Sequence, residues 1–273
     1  MKKIKWVLLL LLTIGATQIF AQADNKEEMV VPLSNPGKPY KLHVDQLNGS
    51  IEVTGYAGKD ILIEITSEDT KTRTRRGDSL NGMRRISTGK GYEVQAREKD
   101  NAVTVNNSGN ARNLKLSLKI PQDVKLKLST VNNGDITVDN VKGELEITNV
   151  NGPIKATNIS GSVVANTVNG RVLVSFLSVD AKSPMAFSTL NGNVDITLPA
   201  AIAATVKMKS ERGQIYSDFD MTIDPTSPAT KKTAEKGMYK LEKEDWVHGK
   251  INGGGVEMMM TNMNGQILVR KAK

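Results

Sequence analysis

The residues able to do chemistry are few. Cysteine is absent, which removes thiol nucleophiles, Cys-ligated metals, disulfides and a lipidated-Cys anchor. Only two histidines occur, His43 and His248, whereas a zinc site wants clustered His, Asp or Glu ligands. Both read as solvent-facing. Calcium-binding nonapeptide rolls need Gly-Gly-x-Gly-x-Asp corners, and here only Gly134-Asp135 sets an acid beside a repeat glycine. Gly253-Gly254-Gly255 is not followed by Lys-Ser/Thr and a helix, so it does not read as a phosphate loop. No catalytic residue, metal ligand or cofactor is assigned. If carboxylates do converge for glycoside chemistry, Asp218, Asp220 and Asp224 are the candidates.

A second chemistry is charge. Lys71, Arg73, Arg75, Arg76, Arg84 and Arg85 form a basic cluster suited to an anionic glycan or lipid head groups. Aromatics are 4% of the chain, too few to interleave with these cations as base-stacking platforms, so nucleic acid is not expected. The N-terminus points the same way. Lys2, Lys3 and Lys5 precede the apolar run Trp6 to Leu12, and Ala21-Gln22-Ala23 offers a small-x-small cleavage site. This reads as a secretory signal peptide over 1–23, too short to span a bilayer. Its removal lowers the formal charge from +8 to +5, since three lysines leave with it. The expected location is extracytoplasmic: periplasmic, cell-surface or secreted. No other long apolar stretch follows, so no transmembrane span is expected in the mature chain.

The elements that must position these residues are announced by a period of nine. Gly134, Gly143, Gly152, Gly161 and Gly170 open GDITVDNVK, GELEITNVN, GPIKATNIS, GSVVANTVN and GRVLVSFLS. With glycine as position zero, positions two, four and seven are apolar in every unit. Two and four follow the strand period, and the jump to seven spans a corner. Glycine and asparagine supply left-handed conformations for such corners. Three inward side chains contribute roughly 1.5–3 kcal/mol each. Ordering nine residues costs on the order of 1.5 kcal/mol apiece. One unit cannot fold alone and must stack on others as a solenoid.

Echoes of the unit recur at Tyr40 to Asn48, Gly49 to Tyr56, Ser183 to Leu190, Gly192 to Ile196 and Met258 to Val269. The expectation is an all-β parallel solenoid, two-faced with eighteen residues per turn, forming one domain over 24–273. Insertions near 67–112 and 217–250 interrupt it, the first with a hairpin around Glu98 to Asn101. The segment before Tyr40 and the terminal 270–273 are candidate end caps. Outward columns read Thr137, Lys155, Leu173, Asp195 on one face and Glu146, Val164, Ala186 on the other. No two carboxylates neighbour each other in them, which argues against catalysis on the regular stack. Val164 and Leu173 are apolar yet outward, a patch either covered by the second insertion or open to a partner.

Together these features resemble a bacterial family of "putative adhesin" domains of unknown function. The motifs that carry the resemblance are VNNGDITV (131–138), NVNGPIKA (149–156), TVNGRVLV (167–174), TLNGNVDI (189–196), TLP (197–199), INGGGVEM (251–258) and MNGQILV (263–269). They span roughly residues 40–273. The resemblance implies a right-handed parallel β-solenoid at the cell envelope or outside it, and brings no catalytic residues. The Thr- and Arg-rich stretch near 70–85 departs from it. The expected function is therefore a non-enzymatic, adhesin-like, structural or envelope-interaction role with an envelope protein or anionic glycan as partner. The alternatives are a carbohydrate-active β-helix enzyme and an envelope-stress or regulatory partner. Oligomeric state is not readable from the sequence.

Overall fold

The computed structural model describes residues 26–67, 79–80, 83–84, 91–107, 113–225, 230–235, 238–243 and 246–273. The segment read as a signal peptide and all the basic-cluster residues but Arg84 lie outside them; Arg84 falls in the short strand Met83–Arg84.

The units fold as expected at their strand positions. Alternating residues such as Ile136 and Val138, Leu145 and Ile147, or Val172 and Val174 point inward and are almost wholly buried. Strands then stack in two parallel ladders. The first runs through Ala102–Asn107, Tyr40–Asn48, Val124–Asn132, Lys142–Asn149, the C-terminal half of Ile154–Asn169, Met185–Asn191, Val256–Asn264 and Ala204–Ser210. The second runs through Leu114–Pro121, Ile51–Tyr56, Ile136–Asp139, the N-terminal half of Ile154–Asn169, Val172–Val179, Val194–Leu198, Ile267–Lys271 and Ile215–Ser217. Inward side chains of both ladders form one core cluster. In the middle of the stack Gly143 stands against Gly161 and Ile154 against Val172, eighteen residues on.

The order of the coils is not the order of the chain. The 40–56 coil sits between the 102–121 and 124–139 coils. The 256–271 coil likewise sits between the 185–198 and 204–217 coils. Each end of the stack thus holds a swapped pair. The C-terminal strand is therefore interior to the stack, not an end cap. Part of the expected first insertion, Ala102–Asn107, is itself a ladder strand.

Antiparallel strands close the ends. Lys26–Pro32 pairs with Asp60–Ser67, which pairs with Leu114–Pro121. Gln95–Lys99 folds back on Ala102–Asn107 through Asp100 and Asn101, both at positive φ, as a two-residue hairpin loop requires. At the far end Val247–Ile251 covers Ala204–Ser210 and carries Met221–Ile223. These strands blunt edges that would otherwise invite pairing with other chains. The Glu98 carboxylate fastens the first cap. It accepts from the Ser34 hydroxyl at 2.7 Å and from the Ser34 and Asn101 amides, which lowers its pKa.

Two corner expectations are corrected. Of the five repeat glycines only Gly143 and Gly161 have positive φ. Gly134, Gly152 and Gly170 are required by crowding between coils. A Cβ on Gly152 would lie 2.1 Å from the Gly134 carbonyl oxygen. Position seven also behaves differently at the two corners. At one corner Val141 and Ile159 are buried, while on the lengthened coil Phe176 replaces Leu177, which is exposed; at the other Val168, Leu190, Leu47 and Met263 are exposed. At that second corner position six turns inward instead. Thr130, Asn149, Thr167, Thr189 and Asn262 are buried there and donate to the carbonyls of Gly49, Gly134, Gly152, Gly170 and Gly192 at 2.7–3.0 Å. The polar side chain goes inside because a turning backbone leaves a carbonyl there that needs a donor.

Candidate interaction face

The outer surface of the first ladder is built from positions one and three of its strands. Its central column reads Thr104, His43, Lys127, Glu146, Val164, Ala186, Met259, Lys207 and His248. The register fixes this order, and neighbours stand one strand spacing, about 4.8 Å, apart. Charge and apolarity are segregated along it. At one end Lys125 bridges Glu144 and Lys127 bridges Glu146, each at 2.7 Å. The Glu144 carboxylate raises the Lys125 pKa through a hydrogen bond. Next come Val164, 42% exposed, Ala186, half-buried, and Met259, 42% exposed. Beyond Met259, the Lys207 ammonium lies 4.3 Å from the centre of the Trp246 ring.

The charged part forms a trough whose lining includes Lys41, His43, Lys127, Glu146, Val164 and Pro184. A four-residue lengthening of the coil makes one rim, because Val164 pairs with Ala186 and Val172 with Val194, each twenty-two residues on. The extra residues turn at Asp180. Its carboxylate accepts from the Ser183 hydroxyl at 2.6 Å and the Lys182 amide at 3.0 Å, and both bonds lower its pKa.

Val164 and Leu173 lie on different ladders, as their columns imply, so they do not form one patch. Leu173 is half-buried on the other ladder, between Lys155 and Asp195. The described parts of the second insertion that flank its hairpin, 217–225 and 246–251, sit at the stack's end. His43 and His248 lie seven strand spacings apart in the same column, about 34 Å, and do not meet. Among the described residues no group of three His, Asp or Glu is placed to hold a metal ion. Several outer carboxylates are held by cations of adjacent strands: Glu144, Glu146, Glu52 by Lys115, and Asp195 by Arg270. Of the aspartates considered for glycoside chemistry, Asp218 accepts from the Lys271 backbone amide at 3.4 Å. Among the described residues no helix is long and apolar enough to cross a membrane.

A second surface lies at a corner where asparagines stack, as their recurrence before the repeat glycines implies, beside an apolar ridge that the repeat alone did not place outside. At the corner leaving the first ladder, exposed Asn side chains hydrogen-bond from coil to coil. Asn151 donates to Asn132, Asn169 to Asn151, Asn191 to Asn169, and Asn264 to Asn191, at 2.7–3.3 Å. Beside this ladder runs the apolar ridge of outward position-seven residues. The signal was present in the recurring apolar-Asn-Gly triplets, such as Val150-Asn151-Gly152 and Leu190-Asn191-Gly192.

Residues 13–252 match the family model described as Toastrack DUF4097. The chain belongs to the Toastrack DUF4097 family. This Toastrack chain is similar over 90% of its length to a solved "putative cell adhesion protein" from Clostridium sporogenes, with 14% identity, a TM-score of 0.46 and 99% of that chain covered. It is also similar over 90% of its length to a solved "putative adhesin" from Bacteroides fragilis, with 12% identity, a TM-score of 0.41 and 97% of that chain covered. No curated protein matches it.

Proposed function

We propose that this chain is an exported, non-enzymatic, adhesin-like solenoid that binds a cell-envelope partner through the outer face of its first ladder. The stack is taken as a two-faced, right-handed coil of nine-residue strand-and-turn units. The observation that carries the functional reading is the contiguous Val164, Ala186 and Met259 surface, flanked on one side by Lys-Glu rungs and on the other by Lys207 against Trp246. An apolar centre with a polar rim is the pattern of protein contacts. Because Lys125 and Lys127 are neutralised by Glu144 and Glu146, a protein partner suits this face better than an anionic glycan.

The test is retention of purified chain on isolated envelope fractions, comparing the wild type with a Val164→Asp, Met259→Asp double variant. Both positions are exposed, so the variant is expected to keep its circular dichroism spectrum and melting point while losing retention. Unchanged retention by the folded variant overturns the assignment of this face. Detection of the exported chain by mass, with its N-terminus at Asp24, tests the export reading.

A further inference from the structure

The corner strip has a property that the interaction face lacks: it matches itself. Its ridge is formed in spatial order by Leu47, Val131, Val150, Val168, Leu190 and Met263. Leu47 is 56% exposed, Val168 37%, Leu190 43% and Met263 39%, with Val131 and Val150 half-buried. The Asn ladder runs parallel to it, one residue further along each coil and on the side of the second ladder. The ridge and ladder carry no charge, in a chain that is 24% charged.

We propose that two copies of this chain associate antiparallel, corner strip against corner strip. The rise between rungs is set by strand spacing, about 4.8 Å, so an apolar ridge of this length is commensurate with another such stack and not with a helix. Symmetry then selects the orientation. A two-fold axis parallel to the ridge either lays each ridge on the other copy's Asn ladder, when centred between them, or throws the two ladders to opposite sides, when it lies on the ridge. An axis across the ridge, in the contact plane, sets ridge on ridge and amide on amide, and reverses the coil order. Val150 of one copy then faces Val168 of the other, Val131 faces Leu190, and Leu47 faces Met263. Asn side chains are both donors and acceptors, so a ladder can bond to its own copy.

Charge at the border of the strip agrees. The residues just past each corner include Asp135 on the Val131 coil and Arg171 on the Val168 coil. Reversed order makes two one-rung approaches of Asp135 to the other copy's Arg171 against a single one-rung approach of the two Arg171 side chains, and keeps the two aspartates three rungs apart. The contact is isologous, the commonest form of homodimer. Six rungs of a narrow corner bury on the order of 1,000 Å² in total, the lower limit for a specific association. The dimer is accordingly a weak one that forms with rising concentration.

Sedimentation velocity of the exported chain from low micromolar to several hundred micromolar tests this. The wild type is expected to move from monomer to dimer mass, and a folded Val168→Lys, Leu190→Lys variant to stay monomeric throughout. Monomer at every concentration, or a mass increase that persists in the variant, overturns the proposal. Orientation is read by mild oxidation of a mixture of Leu47→Cys and Met263→Cys chains. A mixed disulfide dimer is expected, and the Leu47→Cys homodimer as the main product would contradict the antiparallel order. Retention on envelope fractions depends on other residues and is read separately.

Discussion

Replacing neighbouring residues in opposite senses tests which side chain a corner turns inward. Thr167 is 2% exposed, and its hydroxyl donates to the Gly152 carbonyl at 2.9 Å. Val168 is 37% exposed. Thr167→Val keeps shape and volume but withdraws a buried donor. The net loss of a hydrogen bond is about 0.5–1.5 kcal/mol, and a stranded buried acceptor raises it to roughly 1–3 kcal/mol. For a chain of this size each kcal/mol moves the melting temperature by about 2–4 °C, so a fall of roughly 2–12 °C is expected. Val168→Thr should stay within about 0.5 kcal/mol, as surface changes do. Urea and thermal unfolding followed by circular dichroism at low protein concentration measure both. If position seven pointed inward here, the ranking would reverse: Val168→Thr would bury an unpartnered hydroxyl, and Thr167→Val would be harmless. That reversal would refute the corner described above.

Other outcomes follow from the same packing. Asn149 donates to Gly134, but its buried amide oxygen has no partner; Asn149→Thr, copying Thr130 and Thr167 in the same column, should leave stability unchanged or raise it by about 1 kcal/mol, measured by urea unfolding. Gly152→Ala drives a Cβ to 2.1 Å from the Gly134 carbonyl oxygen and should cost about 3 kcal/mol, the upper part of the overpacking range, in the same assay. Tyr40 is 3% exposed, its hydroxyl donates to the Pro121 carbonyl at 2.8 Å, and burial raises its pKa well above the usual phenol range. The folded state holds that proton more tightly than the unfolded one. Tyr40 therefore contributes stability that is complete below about pH 10 and declines as pH rises further, by up to about 1.4 kcal/mol per pH unit. Tyr40→Phe should remove that alkaline slope, as read from urea midpoints between pH 9 and 11.5.

The strands were legible in the sequence because their physics is local. Alternation at Ile136 and Val138 or Leu145 and Ile147 states which side faces in, and Asp100-Asn101 between two alternating runs states a hairpin. The corners were less legible. There the period of two breaks, and whether residue six or seven turns inward depends on which backbone carbonyl the neighbouring coil presents. Asn149 and Asn158 share position six, yet Asn149 is buried against Gly134 while Asn158 adopts positive φ. Coil order was legible in the middle of the stack, where the columns Thr137, Lys155, Leu173, Asp195 and Glu146, Val164, Ala186 stand as the repeat implies, but not at its two ends, since a repeat specifies the unit and not its neighbours. For that reason Met259 could not be placed beside Ala186, nor Leu47 beside Val131. The interaction face and the corner strip are both products of those two swapped ends.

Everything proposed for either surface therefore rests on the coil order, and the absence of cysteine makes it directly measurable. Asn191 pairs with Asn264 across neighbouring coils. An Asn191→Cys, Asn264→Cys variant places two thiols one strand spacing apart on the surface, within reach of a disulfide. Oxidation of dilute protein followed by peptide mass mapping is expected to show an intramolecular 191–264 bond in nearly every chain. In a stack that followed chain order, the 204–217 coil would intervene and hold the two positions about 9.6 Å apart, beyond disulfide reach. Failure of that bond to form, with an Arg212→Cys, Asn191→Cys pair cross-linking in its place, would contradict the account.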